Sequence, residues 1–177
     1  MVKAVILAAG QGKRIAESLN GKPKPLLHIF GKALIEYPLS ALEKNSIEEC
    51  IIVTGYMADS IKNYFEDSRN YRIKIRFVHN PNYECENGYS LYSAKKFLEN
   101  DEWFLVLMAD HLIDSRIVRK ALEEIKNAPL LCTDASPKYF SQLKDATRVL
   151  VNRDGFIEDI GKNIAEWNAL DTGGLYS

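Results

Sequence analysis

The first residues that could do chemistry form a loop of small side chains followed by two cations. The stretch "AVILAAGQGKRI", positions 4–15, leads from an apolar run into the pair Lys13 and Arg14. Small side chains let backbone N–H groups face an anion, and glycine permits the positive φ angles that this requires. The dinucleotide-binding pattern would need glycine where Ile15 stands, and the P-loop spacing is absent. Phosphate binding and a tight strand-to-helix turn with a solvated basic pair are therefore both open. The loop residues concerned are Ala8, Ala9, Gly10, Gln11 and Gly12.

A lysine between two prolines follows this loop, in "KPKPLL" at positions 22–27. Proline restricts its own φ and pushes the preceding residue into extended geometry. We therefore expect Pro23 and Pro25 to keep the segment straight and to limit the directions in which Lys24 can point. The alternative is a rigid connection whose lysines only keep it soluble.

Two aspartates follow apolar segments later in the chain. In "WFLVLMAD" an apolar run ends in Asp110, and in "WNALDTGG" Asp171 precedes Thr172 and two glycines. Carboxylates beyond the carboxyl ends of strands lie where open α/β sheets bind ligands, and Mg²⁺ takes one or two carboxylates with phosphate oxygens and water. Asp110 is the preferred metal ligand, and Asp171 could complete the site. Neighbouring His111 could be a second ligand, although Mg²⁺ prefers oxygen. The alternatives are a capping role for Asp110, an Asx-turn for Asp171, and a structural role for His111.

Composition narrows the function classes. The 177 residues carry a formal net charge of −1, which provides no overall field for nucleic acid or an anionic membrane. The three cysteines are scattered and lack the close pairing of a zinc site, so they indicate reduced thiols and a cytoplasmic protein. No apolar stretch is long enough to span a membrane. The length fits a single domain over residues 1–177.

Apolar runs alternate with helical spacing along the chain, which predicts an α/β fold with a mostly parallel sheet and helices on both faces. The predicted strands are 2–8, 50–54, 73–78, 104–108 and 130–133. The predicted helices are 34–44, 59–65, 90–98 and 117–126, the third capped by Ser90. From position 146 the stretch "ATRVLVNRDGFIEDIG" predicts an antiparallel hairpin around Asp154 and Gly155. The final strand, 169–177, has nothing after it, so we expect a natural chain that continues.

Together these segments resemble the nucleotidylyltransferases that join a nucleoside monophosphate to a sugar or polyol phosphate. The likeness rests on "LAAGQGKR", "PKPLLHIFGKALIEYPLSAL", "MAD", "LDTG" and "DGFIEDIGK", and it covers essentially the whole chain. The resemblance implies a Rossmann-like, GT-A-like three-layer sandwich. It also implies triphosphate contacts for Gly10 and Gly12, a phosphate-binding role for Arg14, catalysis by Lys24, metal binding by Asp110 and Asp171, and a phosphate contact for Lys162.

Within that family, "NPNYECENGYSLYSAKKFL" and "DATRVLVNRDGFIEDIGK" are most similar to the CTP:inositol-1-phosphate cytidylyltransferases. The implied reaction is Mg²⁺-dependent attack of inositol 1-phosphate on the α-phosphorus of CTP, with pyrophosphate leaving. Base selection is expected from the 82–90 loop together with the backbone from Leu7 to Ala9, where Asn87, Gly88 and Ser90 are the candidates. For this loop the alternative is a turn in which Asn87 and Gly88 supply positive φ. A homodimer stays open.

Three other functions remain to be weighed. A related acceptor, phosphocholine or a hexose 1-phosphate, could replace inositol phosphate, and Tyr83, Tyr89 and Tyr92 could form an aromatic cage around choline. A nucleotide-binding regulatory module would not need Lys24 together with two aspartates. A nicotinamide-dependent dehydrogenase is disfavoured, because Ile15 replaces the third glycine and no acidic ribose ligand stands about 20 residues past the loop.

Overall fold

The computed structural model describes residues 2–13, 19, 21–67, 71–137 and 146–176. Ten strands lie within these ranges. They are β1 (Lys3–Ala8), β2 (His28–Ile29), β3 (Lys32–Ala33), β4 (Glu49–Thr54), β5 (Lys74–His79), β6 (Phe104–Met108), β7 (Leu131–Asp134), β8 (Arg148–Val151), β9 (Ile157–Gly161) and β10 (Ala169–Tyr176). The helices are α1 (Glu36–Lys44), α2 (Ala58–Asp67), α3 (Asn87–Ser93) and α4 (Ser115–Glu124), and 3₁₀ turns cover Lys24–Leu26 and Lys95–Phe97.

One mixed sheet organises the described residues, in the order β5-β4-β1-β6-β10-β8-β9, with β7 also paired to β10. The four strands from β5 to β6 are parallel, and β10, β7, β8 and β9 join antiparallel. The α/β class, the parallel half and the antiparallel hairpin are confirmed. The hairpin turns where Gly155 has a φ of +88°.

The inner parallel strands β1, β4 and β6 are largely buried, as their mostly apolar sequences require of strands that are covered on both faces, whereas most residues of the edge strand β5 are half-buried or exposed. In β1, Ala4, Ile6 and Ala8 pack into one core with α1, α2 and α4. Val5 and Leu7 point to the opposite face and pack with Ala94 and Leu98, beside α3. Because side chains alternate along a strand, one six-residue segment supports both layers.

Three local predictions are wrong. Ser90 is not the N-cap of the third helix, because α3 begins at Asn87 and Glu86 occupies the cap position. Asn87 and Gly88 are helical and do not have positive φ. The segment around Lys24 is not straight either, since Lys24–Leu26 forms a 3₁₀ turn in which the Leu26 N–H donates to the Pro23 carbonyl over 2.9 Å. Burial of Pro25 and Leu26 in the core favours this turn over the extended geometry.

Candidate functional site

A cavity of about 700 Å³ opens at the carboxyl ends of β1 and β6. Open α/β sheets bind their ligands at this edge. The lining comes from the glycine loop, the 3₁₀ turn, the segment after β5 with α3, and the segment after β6. Its residues are Leu7, Ala8, Ala9, Gly10, Gly12, Lys13, Lys24, Pro25, Tyr83, Cys85, Asn87, Ser90, Met108, Ala109, Asp110 and His111.

Backbone hydrogen bonds hold the loop against its neighbours. The Ala9 carbonyl accepts from the Tyr56 N–H over 3.0 Å, and the Leu7 carbonyl accepts from the Ala109 N–H over 3.0 Å. The loop is thereby fixed to the segments that follow β4 and β6. Its backbone reaches the cavity wall because the side chains between Ala8 and Gly10 are small.

Gly12 positions the lysine that faces the same cavity. Its φ is +63°, and a Cβ at this position would lie 3.0 Å from the Lys24 Cβ. The left-handed backbone and the close approach both require glycine. Gly12 therefore allows the chain to turn and leaves room for the aliphatic part of the Lys24 side chain.

Lys24 and His111 both contact Asp110 within the cavity. Lys24 Nζ donates to Asp110 Oδ2 over 2.6 Å, and His111 Nδ1 lies 2.7 Å from Asp110 Oδ1. The contact with His111 and then that with Lys24 hold the pKa of Asp110 well below its usual range. Asp110 is therefore an ionised carboxylate, with a cation already beside it.

Asp171 lies in β10 and is absent from the described cavity lining. Its Oδ1 accepts from the Gly173 N–H over 2.7 Å, and its Oδ2 accepts from the Tyr176 hydroxyl over 3.0 Å. Burial first, and then the Asp171 charge, raise the pKa of Tyr176. The segment nevertheless neighbours His111, the residue after Asp110, because a Cβ on Gly173 would lie 3.4 Å from His111 Nε2. Glycine at this position lets β10 approach the cavity.

The remaining candidate residues are distributed around the site. Gln11 donates from Nε2 to Glu84 Oε1 over 3.0 Å and joins the loop to the segment after β5. Gly88 lines a different groove, beside Leu91 and Tyr92. Lys162 is exposed directly after β9. Arg14 lies outside the described residues.

Tyr83 and Cys85 line the cavity, although the sequence did not single out Cys85 and suggested Tyr83 only for a choline cage. Tyr83 packs so tightly on Gly55 that a Cβ there would lie 2.3 Å from the Tyr83 Cβ. Gly55 directly after β4 was the available signal, since glycine at a strand end often marks a close approach. Tyr92 lines the other groove and Tyr89 is largely exposed, so the three tyrosines do not surround one cavity.

The described residues contain no group of three or more His, Cys, Asp or Glu side chains that could hold a metal ion by themselves. A cation at this site would need further ligands from its substrate or from water, which is typical of Mg²⁺. Within the same part of the chain, no helix has the length and apolar character needed to cross a membrane.

Comparison with known proteins places these features in context. Residues 4–150 match the model of the MobA-like NTP transferase domain family. The chain is 35% identical over 174 residues to the "Bifunctional IPC transferase and DIPP synthase" of Archaeoglobus fulgidus, which covers 98% of this chain and 32% of that protein. It is 30% identical over 149 residues to the choline-phosphate cytidylyltransferase of Streptococcus pneumoniae, covering 84% of this chain and 62% of that one.

Among solved structures, the inositol-1-phosphate CTP transferase from T. maritima superposes with a TM-score of 0.83 at 27% identity. The match covers 99% of this chain and 70% of that one. The chain spans about a third of the length of the bifunctional relatives that it matches.

Proposed function

Because the chain belongs to the MobA-like NTP transferase domain family, we propose that residues 1–177 form one nucleotidyltransferase domain that transfers CMP from CTP to inositol 1-phosphate. Pyrophosphate is the second product. The similarity to a bifunctional IPC transferase and to an inositol-1-phosphate CTP transferase supports this donor and this acceptor.

One observation carries the proposal: a glycine loop, a lysine and an aspartate from three separate segments line the same cavity. Lys24 Nζ lies 2.6 Å from Asp110 Oδ2, and Gly12 packs on the stem of that lysine. A structural ion pair alone would not require a backbone cradle beside it. Nucleotidyl transfer requires an anion cradle, a cation for the reacting phosphorus and a carboxylate for a metal.

Electrostatics explains why these residue types are needed. The attacking phosphate and the triphosphate are both anionic, and two unit charges about 4 Å apart repel by ~4 kcal/mol at an effective dielectric of 20. Lys13 and the loop amides offset this repulsion at the triphosphate. Lys24 is directed at the α-phosphorus, where negative charge develops on the equatorial oxygens as the new bond forms. Arg14 and Lys162 are assigned to the triphosphate and to the acceptor phosphate.

The donor set fits Mg²⁺. Asp110 is ionised, and its two oxygens offer about four lone-pair positions, of which Lys24 and His111 occupy two. Asp171 has one contact on each oxygen and lies on a segment that adjoins His111. We assign Asp110 and Asp171 as the protein ligands, with phosphate oxygens and water completing the shell. A bound Mg²⁺ would supply positive charge that offsets the charge of the phosphates.

Base recognition is assigned to the wall formed by Leu7, Ala8, Asn87 and Ser90, which all line the cavity. Cytosine presents an amino donor and ring acceptors, so backbone carbonyls, an amide side chain and a hydroxyl can all pair with it. Gly88 is assigned to the same wall only through its position beside Asn87 in α3. Gln11 stabilises the loop through its bond to Glu84.

A second acceptor is favoured by one observation, the 30% identity to a choline-phosphate cytidylyltransferase. The positions of Tyr83, Tyr89 and Tyr92 count against it, because they do not line one cavity. Phosphocholine is therefore the principal competitor in the test.

The test is a pyrophosphatase-coupled phosphate-release assay with four nucleoside triphosphates against inositol 1-phosphate, phosphocholine and glucose 1-phosphate. We expect turnover with CTP and inositol 1-phosphate in Mg²⁺ and its loss in EDTA. Asp110→Asn should remove most of the metal-dependent rate, and Asp114→Asn, an exposed helix N-cap, serves as its control. Preference for another acceptor would replace the assignment, and absence of turnover with every pair would overturn it.

A further inference from the structure

Asn80, directly after β5, forms a buried hydrogen-bond network behind the wall assigned to the base. It is 1% exposed, and its backbone N–H donates to the Thr54 carbonyl over 2.7 Å. Its Oδ1 accepts from the Asn82 N–H over 2.9 Å, and its Nδ2 lies 3.0 Å from Ser90 Oγ. The backbone and side chain of this one residue thus join the end of β4, the segment that begins at Asn82, and α3.

The network determines which end of the amide faces Ser90. A backbone N–H can only donate, so the atom of Asn80 next to the Asn82 N–H must be the carbonyl oxygen. The NH₂ group therefore faces Ser90. Since an NH₂ group only donates, Ser90 Oγ is the acceptor in this bond.

This assignment leaves the Ser90 proton for another partner. A serine hydroxyl can accept and donate at the same time. Within the described part of the chain, no acceptor takes the Ser90 proton, yet Ser90 is only 5% exposed and lines the cavity. A hydroxyl held in this way presents a hydrogen-bond donor to whatever occupies that wall.

We propose that Asn80 is a positioning residue that holds the Ser90 hydroxyl as a donor toward a ring acceptor of the nucleotide base. This inference rests on the proposed function, because it needs a nucleotide in the cavity. The ring nitrogen N3 and the carbonyl O2 of cytosine are acceptors, so both suit such a donor. The bond fixes the orientation of the base and does not contact the triphosphate.

Asn80→Asp tests the direction of the bond at nearly constant shape. The carboxylate keeps the acceptor for the Asn82 N–H, but its second oxygen also accepts and claims the Ser90 proton. Ser90→Ala removes that proton directly. Both variants should weaken CTP binding about 3- to 10-fold, the effect of one neutral hydrogen bond. The double variant should lose no more CTP affinity than the single variant with the larger loss, because both changes remove the same hydrogen bond to the base.

Calorimetric titrations with CTP and with inorganic tripolyphosphate, both in Mg²⁺, separate this role from a structural one. Tripolyphosphate has no base, so its affinity should stay unchanged in both variants. Asn45→Asp is the matched control, because it removes an amide donor from the Ala41 and Ser115 carbonyls between α1 and α4. It should lower stability and leave CTP affinity unchanged.

The outcomes are distinct. If the wild type turns over and Ser90→Ala binds CTP as tightly as the wild type does, the inference is overturned and the proposed function stands. Equal weakening of CTP binding and tripolyphosphate binding in the variants has the same meaning. A wild-type protein that binds no CTP overturns the proposed function and the inference together. If Asn80→Asp does not fold, Asn80→Ser is used instead: its hydroxyl can still accept from the Asn82 N–H, but its side chain is too short to donate to Ser90. It should show a smaller loss of the same base-dependent kind.

Discussion

A methyl group added at Gly55 tests how tightly the cavity wall is built. Gly55 is buried directly after β4, between Tyr83 and the glycine loop. A Cβ there would lie 2.3 Å from the Tyr83 Cβ and 2.9 Å from the Ala9 carbonyl oxygen. Gly55→Ala should therefore displace two parts of the wall together.

The magnitude follows from these distances. Carbon atoms come to rest about 3.5–4.0 Å apart, so the 2.3 Å approach needs a separation of more than about 1 Å. The Ala9 carbonyl cannot move freely, because it accepts from the Tyr56 N–H. Overpacking lowers the free energy of unfolding by about 1–3 kcal/mol, and we expect about 3 kcal/mol for Gly55→Ala because one of the two groups it meets is the Ala9 backbone. For a chain of this size that corresponds to a fall in Tm of about 6–12 °C.

Thermal unfolding followed by circular dichroism measures this loss, and a CTP titration below the transition measures the damage to the wall. Gly161→Ala is the control, since a Cβ there meets only an Ile164 methyl group at 3.3 Å. It should change stability by about 0.5 kcal/mol or less. If Gly55→Ala unfolds within about 2 °C of the wild type, the close packing of Tyr83 on Gly55 is refuted.

Three further predictions concern Lys24, the thiols of Cys85 and Cys50, and the loss of folding stability at acid pH. Lys24→Met should lower kcat about 10²- to 10³-fold in the phosphate-release assay, as expected for loss of one preorganised charge at the transition state. Cys85 is exposed and lines the cavity, so it should react first with a thiol reagent, and CTP should protect it. Cys50 should react only on unfolding, because it is buried and burial raises the pKa of its thiol. The hydrogen bond from Arg76 lowers the pKa of Glu49 from its ordinary 4.5. The pair therefore stabilises the fold above pH 4.5, and this stabilisation is lost as the pH falls through the lower pKa that Glu49 has in the folded protein. In Glu49→Gln, the free energy of unfolding measured with urea should depend less on pH in this range.

The lysine prediction has a matched control, and each of the three predictions has a result that would contradict it. Lys22→Met changes an exposed lysine of the same segment and should leave kcat near that of the wild type, and equal losses in both variants would refute the role of Lys24. Modification of Cys50 in the folded protein at the rate of Cys85 would contradict the buried position of β4. If the free energy of unfolding falls with acid pH in the same way in Glu49→Gln and in the wild type, the ion pair contributes nothing to folding stability.

The fold class could be predicted because its signals are local. Continuous apolar runs of five or six residues between helical segments require a sheet that is covered on both faces. The run 104–108 has the bounds of β6, and Asp154 and Gly155 mark the turn between β8 and β9. The family resemblance is confirmed by the match of residues 4–150.

Local backbone predictions at the candidate site were wrong where the outcome depends on contacts far apart in sequence. The local signal at Ser90 suggested a cap, but burial against Asn80 places this residue inside α3. The rule for residues before proline suggested extended backbone at Lys24, but a 3₁₀ turn lets Pro25 and Leu26 enter the core. In both cases the free energy of packing exceeds a local backbone preference.

By itself, the sequence determined the alternation of parallel strands with helices, the antiparallel hairpin near its end and the small side chains of the loop after β1, but it did not predict the short strands β2 and β3. These properties follow from hydrophobic periodicity and from the chemistry of single side chains. Only the tertiary structure decided that Lys24 meets Asp110 across 86 positions, that Tyr83 packs on Gly55, and that the Asn80 amide hydrogen-bonds to Ser90. The physical reason is that crossovers of a parallel sheet bring distant strand ends to one edge, and the packing at that edge depends on the shapes of both partners.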